Sequence, residues 1–165
     1  MSDDLDHVGR IQEQWASERP DLDTSAMGII GRLHRLADAL HRELRPVFES
    51  AGLTDGDFDV LAALRRAGEP FALTPGQLAE TTMITSGTVT KRVDRLTVAG
   101  LVTRERVDHD GRVRRIALTE AGRALVDEVV EAHVANEERL LMGFSEIERA
   151  RLTRLLNQWT RSLGI

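Results

Sequence analysis

LTPGQLAETTMITSGTVTKRVDRLTVAGLVTRERVDHDGRVRRIAL, residues 73–118, decides the fold. Thr74-Pro75-Gly76-Gln77 has the spacing of a capping box, with proline at the first helical position, so a short helix, QLAETTMI, starts there. Thr85-Ser86-Gly87 is a brief polar turn. From about Ser86 to Ala99 a second helix follows, with Val89, Val93 and Leu96 on one face and a stop near Gly100. The period then changes from helical to twofold. LVTRERV and VRRIAL alternate apolar and polar residues, and DHDGR between them supplies an Asp-Gly turn, as in an antiparallel hairpin. Two helices joined tightly and followed by a twisted hairpin make a winged helix-turn-helix.

Working outward, every flanking segment reads as helix. Val8, Ile11 and Trp15 fall at helical spacing between Leu5 and Ala16, and Arg19-Pro20 ends that helix. Asp23, Thr24 or Ser25 can cap a long second helix whose apolar stripe runs Leu33, Leu36, Leu40, Leu44, Val47 and Phe48 to a stop at Gly52. Thr54 starts DGDFDVLAALRRAG, with Phe58, Leu61 and Leu64 inward, broken by Gly68-Glu69-Pro70. After the hairpin, Thr119 caps a helix carrying Leu125, Val129 and Val130. Ser145 to Glu148 form another capping box, before a helix striped with Leu152, Leu155, Leu156, Trp159 and Leu163. The expected fold is mainly α: a winged helix-turn-helix with a two-stranded wing and N- and C-terminal dimerisation helices. The divisions are 1–50, an extension helix and dimerisation helix; 51–118, the DNA-binding domain; and 119–165, C-terminal dimerisation helices. The terminal stripes exceed what a small central domain can cover, which points to a second copy.

The chain has 165 residues, with 41% hydrophobic and 30% charged, ordinary for a globular domain. It has no cysteine, which excludes disulfides, Cys-based zinc and thiol redox sensing. No apolar run reaches the roughly 18 residues of a membrane span, and the acidic start MSDDLDHVGR has no apolar signal core. The expected compartment is the cytoplasm, with no membrane partner. Net charge is −5, but its distribution is uneven. Residues 1–30 hold seven acids and two arginines, whereas residues 85–118 hold eight bases and four acids. The local excess is what phosphate feels.

The helix from Ser86 would enter the major groove, which is about 12 Å wide. Thr85, Ser86, Thr88 and Thr90 are small enough to let it approach bases and phosphates, while Lys91, Arg92 and Arg95 supply cations. Arg112 at the hairpin tip would lie near a minor groove. Asp108 and Asp110 would brace the wing by pairing with nearby arginines. A plain solvated surface would not bring together the capping box, short turn, polar helix and basic hairpin. His34, Asp38 and His41 share a helical face, but three mixed residues on one exposed helix make a poor metal site. No nucleophile–base pair or glycine-rich phosphate loop occurs, so neither an enzyme nor a cofactor is expected.

The run LAETTMITSGTVTKRVDRLTVAGLVTRERVDHDGRVRRIALTEAG, with LTDGDFDVLAAL upstream, resembles the core signature of the MarR (multiple antibiotic resistance regulator) family over about residues 30–160. The resemblance implies a homodimer on a palindromic operator, with two recognition helices in successive major grooves. QWASERPDLDTSAM resembles the extra first helix and linker of the urate-responsive, PecS-like subgroup. The ligand-linked residues of that subgroup match Trp15, Asp59, Arg92 and Arg104. The implied function is a repressor released by urate or a related purine anion. A cationic Arg104 and an aromatic Trp15 suit such an anion. A negative ligand near Asp59 would repel it and shift the helix carrying Arg92. Other readings stay open: core packing for Trp15, a solvent-facing Asp59, and phosphate contacts for Arg92 and Arg104. A carboxylate or phenolic effector, or a helical adaptor without DNA binding, also remains open.

Overall fold

The computed structural model describes residues 5–82, 86–106 and 114–164, with backbone alone at 86–88, 106 and 114. The chain forms two compact units, Met1–Leu44 and Arg45–Ile165, and the division falls inside the second helix.

The first unit holds α1 (His7–Glu18) and the start of α2 (Ser25–Ser50). Asp6 caps α1 by accepting the Gly9 N–H at 2.7 Å, and the same carboxylate takes two hydrogen bonds from Arg32 on α2. The Gly9 N–H and the Arg32 guanidinium both favour the ionised acid and hold its pKa below the usual carboxylate value. Val8 is buried against Gly31. As expected, α1 stops before Pro20, where the Arg19 N–H closes the last turn on the Trp15 carbonyl.

The second unit runs α3 (Asp55–Arg66), β1 (Ala72–Leu73), α4 (Pro75–Thr81), α5 (Ser86–Val98), β2 (Val102–Arg106), β3 (Arg114–Leu118), α6 (Glu120–Leu140) and α7 (Glu146–Leu163). Its core is built from Leu61 and Leu64 of α3, Leu78 of α4, Val89, Val93 and Leu96 of α5, Val102 and Ile116 of the hairpin, and Val126 of α6. Phe58 is half-buried and stacks on Phe48 at 4.6 Å between ring centres. The Thr74–Gln77 and Ser145–Glu148 capping boxes and the Thr119 cap all form.

Three expectations are adjusted. The hairpin is antiparallel, but the sheet has three strands in the order β1-β3-β2. Ala72 pairs with Ala117 and Leu73 with Ile116, and two residues after a Gly-Glu-Pro break are too few to show a strand period. α5 starts at Ser86 as expected, but the turn read over Thr85-Ser86-Gly87 is shorter, because Ser86 and Gly87 lie in the first turn of α5. On α6 it is Val126 and Val129 that are buried, whereas Val130 is exposed. None of the α7 stripe is buried within the chain.

The wing root is tightly closed onto α6. Thr119 donates its hydroxyl to the Gly100 carbonyl at 2.8 Å and accepts the Gly122 N–H at 2.9 Å. A β-carbon at Gly122 would overlap the Leu101 carbonyl oxygen, so only glycine fits there.

Candidate nucleic-acid interface and effector cleft

The DNA-reading helix predicted from sequence is α5. Its apolar side, Val89, Val93 and Leu96, is buried as expected, and Thr90 and Lys91 lie on its exposed side. Ser86 and Thr88 belong to its first turn, but their side chains are outside the described residues. Thr85 and the wing tip with Asp108, Asp110 and Arg112 also lie outside them.

On one flank α5 is held by α3. Thr54 caps α3, and Asp57 closes the box by accepting the Thr54 N–H at 2.8 Å and its hydroxyl at 2.5 Å. Asp57 is 0% exposed. Its Oδ2 also pairs with Nη2 of Arg95. Nη1 of Arg92 donates to Oγ1 of Thr54 at 2.7 Å and lies 3.7 Å from Oδ1 of Asp57. Among the described residues that Oδ1 has no hydrogen-bond partner. Asp57 lies in the first turn of α3, where the helix dipole also favours an acid. The signal for it in the sequence is Thr54-x-x-Asp57, a capping box with the shorter acid.

On the other flank α5 is held by the wing. Asp94 of α5 pairs with Nη2 of Arg104 on β2. Beside this pair a cleft of about 200 Å³ is lined by Pro75, Val89, Thr90, Val93, Arg104, Arg115 and Ile116. Two guanidinium groups beside an apolar wall suit a small planar anion. Arg115 and Asp94 were not singled out from sequence, because a strand pattern does not reveal which helix it packs against.

The four residues matched to an effector lie on four different elements. Arg104 lines the cleft. Arg92 is on the opposite flank of α5, bound to Thr54. Asp59 is half-buried on α3. Trp15 belongs to the first unit, on α1, and is 41% exposed. His34 and Asp38 are exposed on α2, and among the described residues no group of three or more His, Cys, Asp or Glu could hold a metal ion. Among those residues, too, no helix is long and apolar enough to cross a membrane.

Comparison with known proteins finds relatives of this chain and of its fold. Residues 51–113 match the MarR family. The HTH-type transcriptional regulator PecS of Dickeya dadantii is 43% identical over 156 residues, covering 94% of each chain. Among solved structures, Bordetella bronchiseptica BpsR, whose DNA binding is regulated by 6-hydroxynicotinic acid, is 29% identical. It aligns with a TM-score of 0.69 over 79% of this chain and 92% of its own. A variant of E. coli MarR complexed with operator DNA is 24% identical, with a TM-score of 0.68 over 87% of this chain and 96% of its own. At that identity the likeness concerns the fold.

Proposed function

This chain belongs to the MarR family, and we propose that it is a transcriptional repressor that binds a palindromic operator as a homodimer and is released by urate or a related purine anion. The observation that carries the DNA reading is α5 itself. Its apolar side is sealed against the core, while Thr90 and Lys91 face outward. In this reading α5 lies in the major groove, with Thr85, Ser86, Thr88 and Thr90 at close approach. Lys91, Arg92 and Arg95 act as cations, and Arg112 reaches the minor groove. The exposed stripe of Leu152, Leu155, Leu156 and Leu163 on α7 supports a second copy as its cover.

Support for an anionic effector comes from Arg104 and Arg115 at the cleft and from the 43% identity to PecS. Trp15, Asp59, Arg92 and Arg104 are its proposed ligand-linked residues. A carboxylate effector is the second reading, favoured by the likeness to BpsR, whose regulator is an aromatic acid. The coupling operates only if the effector prefers the DNA-incompetent state.

Two titrations test the proposal. Fluorescence anisotropy on random and palindromic duplexes, across a salt series, should show a palindrome preference; none at any salt ends the DNA reading. Urate, xanthine, hypoxanthine and aconitate are then added while tryptophan emission is followed. Quenching by urate that disappears in Trp15→Phe supports the purine reading, and response to aconitate alone selects the carboxylate.

A further inference from the structure

We propose that Asp57 is the positioning residue of the DNA-reading helix: its buried carboxylate aims Arg92 and Arg95 and so sets how well the protein tells operator from other DNA. The inference rests on the DNA-binding reading above.

A capping box needs only an acceptor at its third helical position, and a neutral glutamine serves α4 in that role. At the same position of α3 stands a charged group with no exposure. Burying a carboxylate is unfavourable unless cations and hydrogen bonds compensate it. Here Oδ2 is compensated by Thr54 and by Arg95, while among the described residues Oδ1 has no hydrogen bond and lies 3.7 Å from Arg92. The charge is therefore more than the cap requires, and what it meets is a pair of guanidinium groups from α5.

Those two arginines are three residues apart, so they leave the same side of the helix. Apolar packing by Val89, Val93 and Leu96 is non-directional and leaves α5 free to roll or slide slightly. Two guanidinium groups drawn to one fixed carboxylate remove that freedom. The preceding residue completes the seat: a β-carbon at Gly56 would stand 3.1 Å from Nε of Arg92, so the absence of a side chain lets this guanidinium lie against α3. Both arginines remain partly exposed, and their other N–H groups stay available to phosphates or bases. Asp57 also cancels one of their two charges, which restrains binding to DNA of any sequence.

The test is Asp57→Asn in the full-length chain. Asparagine keeps an acceptor for the Thr54 N–H but loses the charge. Affinity for the operator and for a scrambled duplex is measured by anisotropy from 50 to 300 mM salt. The expected result is a roughly tenfold fall in the operator-to-scrambled ratio. Scrambled-DNA affinity should hold or rise, with a salt slope steeper by up to about 0.9. In an Arg95→Gln background the same substitution should change the ratio less than about threefold, because the two residues act through one contact.

If both affinities fall by the same factor, Asp57 is only a cap and the proposal is overturned; an unchanged ratio overturns it equally. If the wild type has no operator preference, the DNA reading fails first and takes the proposal with it. Should Asp57→Asn not fold, NMR of the wild-type guanidinium groups decides. A rotationally restricted Arg95 guanidinium in the free protein supports the assignment, and a freely rotating one overturns it.

Discussion

The two flanks of α5 use the same kind of contact with opposite polarity and very different exposure. Toward α3 the scaffold supplies the acid and the helix supplies the arginines, and the acid is fully buried. Toward the wing the strand supplies Arg104 and the helix supplies Asp94, with 41% and 56% of the side chains exposed. A buried pair is costly to break by removing one partner, whereas an exposed pair is worth little and is screened by salt. α5 is thus held on one side by a buried contact and on the other by an exposed one. The exposed side is the one beside the cleft with its two arginines. An anion that engages Arg104 there competes with Asp94 for it.

The sharpest way to break this contrast is Asp57→Ala. It removes the acceptor of the Thr54 N–H and the partner of Arg95 at once, although the arginines can turn to solvent. Urea denaturation should show a loss of about 2–3 kcal/mol. Thr54→Ala keeps the acid but loses the hydroxyl that links it to Arg92, and about 1 kcal/mol of stability should go with the cap. Gly56→Ala should leave stability within about 1 kcal/mol, since alanine favours the helix while the β-carbon crowds Arg92. Its mark should instead be a severalfold weaker hold on operator DNA in the anisotropy assay. The smallest effect on stability is expected on the wing side, where Asp94→Asn should shift it by less than about 0.5 kcal/mol. The same variant should bind the proposed anionic effector more tightly, because Arg104 has lost its competitor. Tighter binding in Asp57→Asn but not in Asp94→Asn would reverse the assignment of the two flanks.

How far the sequence could be read follows from the same contrast. Local chemistry was legible. The Thr74–Gln77 and Ser145–Glu148 boxes, the Thr119 cap, the apolar side of α5 and the antiparallel hairpin are each fixed by residues a few positions apart. β1 was not, because two residues cannot display a period. The seat of α5 was only half legible. Thr54-x-x-Asp57 announces a cap, but nothing in that spacing announces a guanidinium 38 residues further on. Arg104 was picked out by resemblance, yet its partner Asp94 was not. A resemblance transfers named positions, and a counter-ion must be found in space. The wing tip with Arg112, and Thr85 before α5, fall outside the described residues, so their roles rest on sequence alone.

The contact between Gly122 and the Leu101 carbonyl has a mechanical meaning. Where no atom can be inserted, there is no play, and a helix that meets a strand root without play acts as a lever with its fulcrum at the joint. From Gly122 the arm of α6 runs to Leu140, roughly 27 Å at 1.5 Å per residue. A small tilt at its far end would reach the root of β2, three residues before Arg104, as a torque with little slack to absorb it.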